Sequence, residues 1–200
     1  TDAACSSDCA ELLIPVPPER NGPDPSWLVV RLGELRLRVF GTPGQARHLI
    51  CLWDERARVF FTGDTFGLSY REFDVDGRAF VVPTCTPTQF NPEAMHDSID
   101  RMLAMQPQAM YLTHYSRVTD VSRLGSDLHR LIDTMVAVAR AARGDGVARH
   151  VEILAGLEQV LREEAARQNW ALDEEQTLEL WRMDLEFNAQ GLGVWFDSQR

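Results

Sequence analysis

Arg58-Val59-Phe60-Phe61-Thr62-Gly63-Asp64-Thr65 is the stretch on which the fold turns. A short apolar run closed by Gly-Asp reads as a buried strand running into a turn. After it the period changes. Asn91 can cap a helix with Pro92 at its first position, and Met95, Ile99, Met102 and Leu103 make one apolar face. That helix should stop before Pro107, and Ala109–Leu112 follows as a second short apolar strand. Residues 58–112 thus predict strand, helix, strand.

Upstream of this unit, the run Trp27–Val30 precedes Gly33, and Leu35, Leu37 and Val39 alternate with Glu34, Arg36 and Arg38. The period of two predicts a half-buried strand, paired with the preceding run as a hairpin. His48–Trp53 predicts a further strand, separated from 58–62 by the polar turn Asp54-Glu55-Arg56. Residues 1–26, rich in Ser, Pro, Asp and Gly, read as an extended connector.

Downstream, Leu124, Leu128, Leu131, Ile132, Met135 and Val138 mark a long amphipathic helix ended by Gly144-Asp145-Gly146. Two more helices are expected over about 147–167 and 174–189. The second opens with Asp173-Glu174-Glu175-Gln176, a capping box with Asp in the Ser/Thr place. The expected class is α/β, with helices on one sheet face and a C-terminal helical subdomain.

The chain has 200 residues with 30 acidic and 20 basic side chains, a net charge of −10, and every basic residue is Arg. That balance disfavours a nucleic-acid backbone binder, which needs a basic face. No apolar run reaches the roughly 18–20 residues that span a bilayer. Cys5, Cys9, Cys51 and Cys85 are too sparse for a disulfide scaffold, so a reducing cytoplasm and free thiols are expected. Thr1-Asp2 is neither an initiator Met nor the start of a signal peptide, which suggests a trimmed, processed or partial chain.

Sites in open α/β sheets gather beyond the carboxyl ends of strands. Asp64 and His114, the latter in Leu112-Thr113-His114-Tyr115, both occupy such places. A carboxylate and an imidazole at neighbouring strand ends suit a metal such as zinc. The plainer alternative is that Asp64 caps a turn and His114 is a loop histidine bonded to backbone. His96, His129 and His150 fall on helical stretches and read as solvated or structural.

Three ordered loops carry a family resemblance: Thr42-Pro43-Gly44-Gln45-Ala46-Arg47-His48, Phe61-Thr62-Gly63-Asp64-Thr65-Phe66-Gly67 and Tyr111-Leu112-Thr113-His114-Tyr115. Together they resemble the C-terminal half of the metallo-β-lactamase superfamily, close to its glyoxalase-II-like metallo-hydrolases. The stretches Leu68–Glu72, Pro83–Phe90 and Asn188–Leu192 look like one bacterial branch of it. The resemblance implies a partial αββα sandwich: an N-terminal connector at 1–26, the C-terminal half of the sandwich at 27–118, and a helical tail at 119–200. It also implies zinc or iron holding a hydroxide that attacks a small ester, thioester or lactone. Asp64 matches the family's bridging aspartate and His114 its final histidine ligand. Tyr70 and Arg71, in the loop after Gly-Asp, would border a small-molecule substrate; a salt-bridged surface loop explains the stretch Tyr70-Arg71-Glu72 equally well.

Two departures follow. Gln45 stands where the family has its third histidine, with His48 three residues on as a weaker candidate to replace it. The family's His-x-His-x-Asp-His motif is absent, the histidines being His48, His96, His114, His129 and His150. Metal binding by this chain alone is therefore expected to be weak or lacking. A half-sandwich also leaves one sheet face without its cover, so a homo-oligomer or a complementary polypeptide is expected, and neither a nucleic acid nor a membrane.

Overall fold

The computed structural model describes residues 28–85, 87, 89–114 and 116–199. The connector at 1–26, Trp27, and the free thiols expected at Cys5 and Cys9 lie outside the described residues. Among the described residues, six strands form one sheet in sequence order: β1 (Leu28–Leu32), β2 (Leu35–Gly41), β3 (Ile50–Asp54), β4 (Val59–Phe61), β5 (Ala109–Leu112) and β6 (Ser116–Val118). Every neighbouring pair is antiparallel except β4 and β5, which run parallel across the helix between them.

The expected hairpin forms between β1 and β2, turning at Gly33 with φ 61°. The strand–helix–strand unit is present with α1 (Pro92–Ala104) as its crossover. Asn91 caps that helix, its side chain accepting a hydrogen bond from the Ala94 amide at 2.9 Å. Met95, Ile99 and Met102 are fully buried along one face of α1, as their spacing of three and four requires. A long helix α2 (Val121–Ala141) follows, then α3 (Gly146–Gln168) and α4 (Glu174–Ser198). The capping box at Asp173 and Gln176 is made in both directions, at 2.8 and 3.2 Å.

Two features were not read from the sequence. Strand β6 is three residues long, too short to show a period. Helix α4 continues past the expected end near 189, through Gly191 and Gly193 to Ser198. Those glycines cost helix propensity of about 1 kcal/mol each. Ala189, Leu192 and Trp195, spaced by three and buried, hold the helix together there by packing.

Strand alternation sorts the sheet into two unlike faces. Phe40, Cys51, Trp53, Phe60 and Met110 point to the helices and are 3% exposed or less. They belong to one continuous buried cluster that runs through α1 and α2 to Leu157, Trp181 and Leu192 of the last two helices. The opposite face carries Val39, Leu52, Phe61 and Tyr111 in cross-strand register. Of these, Phe61 and Tyr111 stack at 5.2 Å and stay 42% and 36% exposed, and Ile50 beside them is 54% exposed.

Candidate functional site

Because β4 and β5 are parallel neighbours, their carboxyl ends open on the same edge, and each is followed by a loop that carries one ionisable residue. The loops are tied together by backbone bonds from the Thr62 amide to the Tyr111 carbonyl at 3.0 Å and from the Thr113 amide to the Gly63 carbonyl at 3.4 Å. The result sets Asp64 Oδ1 3.7 Å from His114 Nε2. That spacing is long for a hydrogen bond.

A buried polar cluster fixes the loop at 42–46 against Asp64's loop. Thr65 Oγ1 donates to Thr42 Oγ1 at 3.0 Å, Thr42 Oγ1 meets Cys51 Sγ at 3.1 Å, and the Cys51 thiol donates to the Thr62 carbonyl at 3.1 Å. Burial pushes the Cys51 thiol up to about 11, against the smaller opposing pull of Thr42 and Thr65. Gly44 completes the clamp. Its φ is 142°, its carbonyl accepts from the Asn91 amide at 2.7 Å, and a Cβ there would lie 2.4 Å from the Met95 backbone. Gln45 is thereby buried at the edge of the site, 8% exposed.

A pocket of about 480 Å³ joins these groups, lined by Gln45, Asp64, Tyr70 and His114 on one side. Its other wall comes from α4, through Met183, Asp184, Phe187 and Asn188. Of the sequence candidates, Asp64, His114, Gln45 and Tyr70 meet here. His48 is exposed outside the lining, and Arg71 is turned to Asp74 at 2.9 Å and the Arg117 carbonyl at 2.8 Å.

The α4 wall was missed by sequence reasoning, since nothing local places a residue 114 positions from Tyr70 beside it. Tyr70 Oη donates to Asp184 Oδ2 at 2.6 Å. Partial burial raises the Asp184 carboxyl above its ordinary value, opposed by the Tyr70 hydrogen bond and by His114. Asn188 locks the same wall: its Oδ1 accepts from the Cys85 amide at 2.7 Å and its Nδ2 donates to the Pro83 carbonyl at 3.3 Å. An aromatic cluster orients the helix, with Trp181 packed at 4.5 Å on Tyr70 and 5.3 Å on Phe73.

Asp64 Oδ1 is buried and has no hydrogen-bond partner among the described residues. A buried carboxylate oxygen left so is costly unless a cation or donor meets it, which suits a metal corner shared with His114. Among the described residues, however, no three His, Cys, Asp or Glu side chains converge on one point. Zinc sites use three or four protein ligands, and Asp64 with His114 falls short of that number among the described residues.

The other histidines bind helix to helix. His96 and His129 approach through their Nδ1 atoms at 2.5 Å, with ring planes 9° apart and centroids 4.9 Å apart. Rings so disposed meet edge to edge in nearly one plane, as an in-plane hydrogen bond requires, and not face to face. Their Nε2 atoms face Asp133 at 3.2 Å and Asp100 at 3.0 Å, cross-linking α1 and α2. His150 faces Glu186 at 3.1 Å between α3 and α4.

No family model and no curated protein matches the sequence. Solved structures do match. One is an archaeal metallo-β-lactamase superfamily protein from Sulfolobus tokodaii, 22% identical, covering 76% of this chain and 50% of that one with a TM-score of 0.42. Another is a metallo-β-lactamase family protein from Thermus thermophilus, 19% identical over 84% of this chain and 50% of that one, TM-score 0.47. A third is a metallo-β-lactamase from Pontibacter korlensis, 12% identical over 54% of this chain and 46% of that one, TM-score 0.40. All three carry the metallo-β-lactamase name. The likeness is partial, and the chain spans about half the length of the structures it matches. No described helix is long and apolar enough to cross a membrane.

Proposed function

We propose that this chain supplies one side of a metal-dependent hydrolase site for a small ester, thioester or lactone, and that it is inactive alone. The observation that carries the reading is the placement of Asp64 and His114 at the ends of adjacent parallel strands, 3.7 Å apart, with Oδ1 of Asp64 buried and without a hydrogen bond among the described residues. Two donors are too few for zinc or iron, so the remaining ligands come from outside the described residues. The apolar sheet face around Ile50, Phe61 and Tyr111 is the surface such a partner would cover. Tyr70 and Asp184, hydrogen-bonded to each other, line the same pocket and are the groups a substrate would meet beside the two donors.

The test is reconstitution. The chain alone, dialysed after loading with zinc or iron, should retain well under one ion per chain and show no esterase or thioesterase turnover. Gln45→His together with a polypeptide bearing His-x-His-x-Asp-His should restore metal and turnover, and Asp64→Ala or His114→Ala should abolish both. A mixture that binds metal yet stays inert would support the alternative, a degenerate binding or subunit protein without catalysis. Near-stoichiometric metal on the chain alone, lost on Asp64→Ala, would show the incomplete-site reading to be wrong.

A further inference from the structure

A groove of about 750 Å³ runs along the outer seam of α3 and α4. Its floor is apolar, formed by Leu154, Leu178, Met183 and Phe187, and the last two are 69% and 52% exposed. Large apolar side chains so open to water on one strip are characteristic of a binding surface. Methionine, unbranched and polarisable, is well suited to adapting to a guest there.

The rim of the groove is mainly acidic. Glu158, Glu174, Glu175, Glu179 and Glu186 line it, against Arg182 as the one basic residue of the lining. Arg182 is paired with Glu179, and Arg162 draws on Glu174 at 2.6 Å and Glu158 at 3.3 Å. Glu175 forms no ion pair among the described residues. The field over the apolar floor is therefore negative, and it selects among occupants. A second copy of this chain would bring a net charge of −10 to it, and an anionic lipid surface or a nucleic acid would be repelled. A guest with apolar anchors and basic flanks satisfies both floor and rim.

Length fits a helix. From Glu174 to Phe187 the rise of 1.5 Å per residue gives a trough of about 20 Å, room for three to four turns. We propose that the α3–α4 groove docks a basic amphipathic helix of a partner protein, its apolar residues on Met183 and Phe187 and its arginines or lysines over the glutamates. Met183 and Phe187 also line the pocket of Asp64 and His114, so the docked helix borders that pocket's mouth. The proposal does not rest on the hydrolytic reading, because it concerns binding by this chain alone.

The experiment titrates the full chain into a fluorescein-labelled 18-residue helix of Leu and Arg, Leu at i, i+3, i+4 and i+7, and follows anisotropy. Saturable binding near micromolar Kd is expected, about tenfold weaker between 50 and 500 mM salt. A scrambled peptide of the same composition should bind about tenfold more weakly, because its apolar residues no longer share a face. Met183→Gln with Phe187→Gln should lose about tenfold, and Glu174→Gln with Glu175→Gln and Glu179→Gln should weaken binding and flatten its salt dependence. Thermal melts show that each variant is folded. Equal affinity for the scrambled peptide, or indifference to both sets of substitutions, overturns the proposal in favour of unspecific charge attraction. Dimerisation of the chain abolished by the Met183/Phe187 change, or tighter binding to vesicles of anionic lipid than to the peptide, overturns it in favour of those occupants.

Discussion

At the scale of single residues, the site is built by groups whose positions leave little freedom. Gly44 is one. With φ at 142° and the Met95 backbone 2.4 Å from any added Cβ, Gly44→Ala must push the loop at 42–46 away from α1. A loss of about 2–4 kcal/mol in urea unfolding is expected from overpacking plus backbone strain; an unchanged midpoint would contradict the close approach. Asp184 has the opposite character. Burial raises its carboxyl, so the folded state holds the proton more tightly than the unfolded chain. That contribution to stability is present at low pH and is lost as pH rises through the raised value. Asp184→Asn keeps an oxygen for Tyr70 and removes the buried charge. Its melting temperature should equal or exceed that of the original protein at pH 7, with the difference shrinking toward pH 3. A lower melting temperature at pH 7 that recovers toward pH 3 would mean that the Tyr70–carboxylate hydrogen bond outweighs the burial cost. The cysteines give a third readout: burial raises the thiols of Cys51 and Cys85, and thiolate is the reactive form. Neither should be labelled by iodoacetamide at pH 8 in the folded chain, and both should be in urea, as mass spectrometry of the peptides would show.

At the scale of elements, sequence periodicity carried the reading a long way. Met95, Ile99 and Met102 placed α1 and its buried face, and Asp173 with Gln176 placed the start of α4. Such local signals fail where packing overrides propensity, as at Gly191 and Gly193, and where an element is too short for a period, as at Ser116–Val118. Strand ends marked Asp64 and His114, because a loop after a strand is legible locally. Asp184 and Asn188 were not, since their placement depends on α4 folding back over the 83–85 loop through Trp181, Tyr70 and Asn188. The pairing of His96 with His129 is of the same kind: each histidine looks like an ordinary helical residue until two helices meet. Replacing both with Ala removes the in-plane hydrogen bond and both carboxylate contacts between α1 and α2. The expected loss is about 1–2 kcal/mol for partly exposed bonds of this type, read by urea unfolding. A double variant as stable as the original would mean that apolar packing alone holds the α1–α2 seam.

At the scale of the whole molecule, the sheet is the feature that must be explained. One of its faces is sealed by helices, with Phe60 and Met110 inaccessible, while the other leaves Ile50, Phe61 and Tyr111 open in adjacent strands. Sheets with apolar residues on both faces are usually covered on both, and an open apolar face tends to draw a partner or a second copy. The net charge of −10 opposes close self-association but does not shield this face, where Val39, Leu52, Phe61 and Tyr111 lie in direct register. At micromolar concentration the chain alone should therefore bind a hydrophobic dye such as anilinonaphthalene sulfonate, or sediment as more than a monomer. Ile50→Glu with Phe61→Glu places two carboxylates on the open face without touching the buried cluster. That variant should lose most of the dye signal and sediment as a monomer, while its melting temperature changes by only a few degrees. A complementary polypeptide seated on the same face should suppress dye binding in the original chain and fail to bind the variant. A monodisperse original chain that takes up no dye would remove the physical reason for expecting a covering partner on this face, and with it the surface proposed to receive the rest of the Asp64–His114 site.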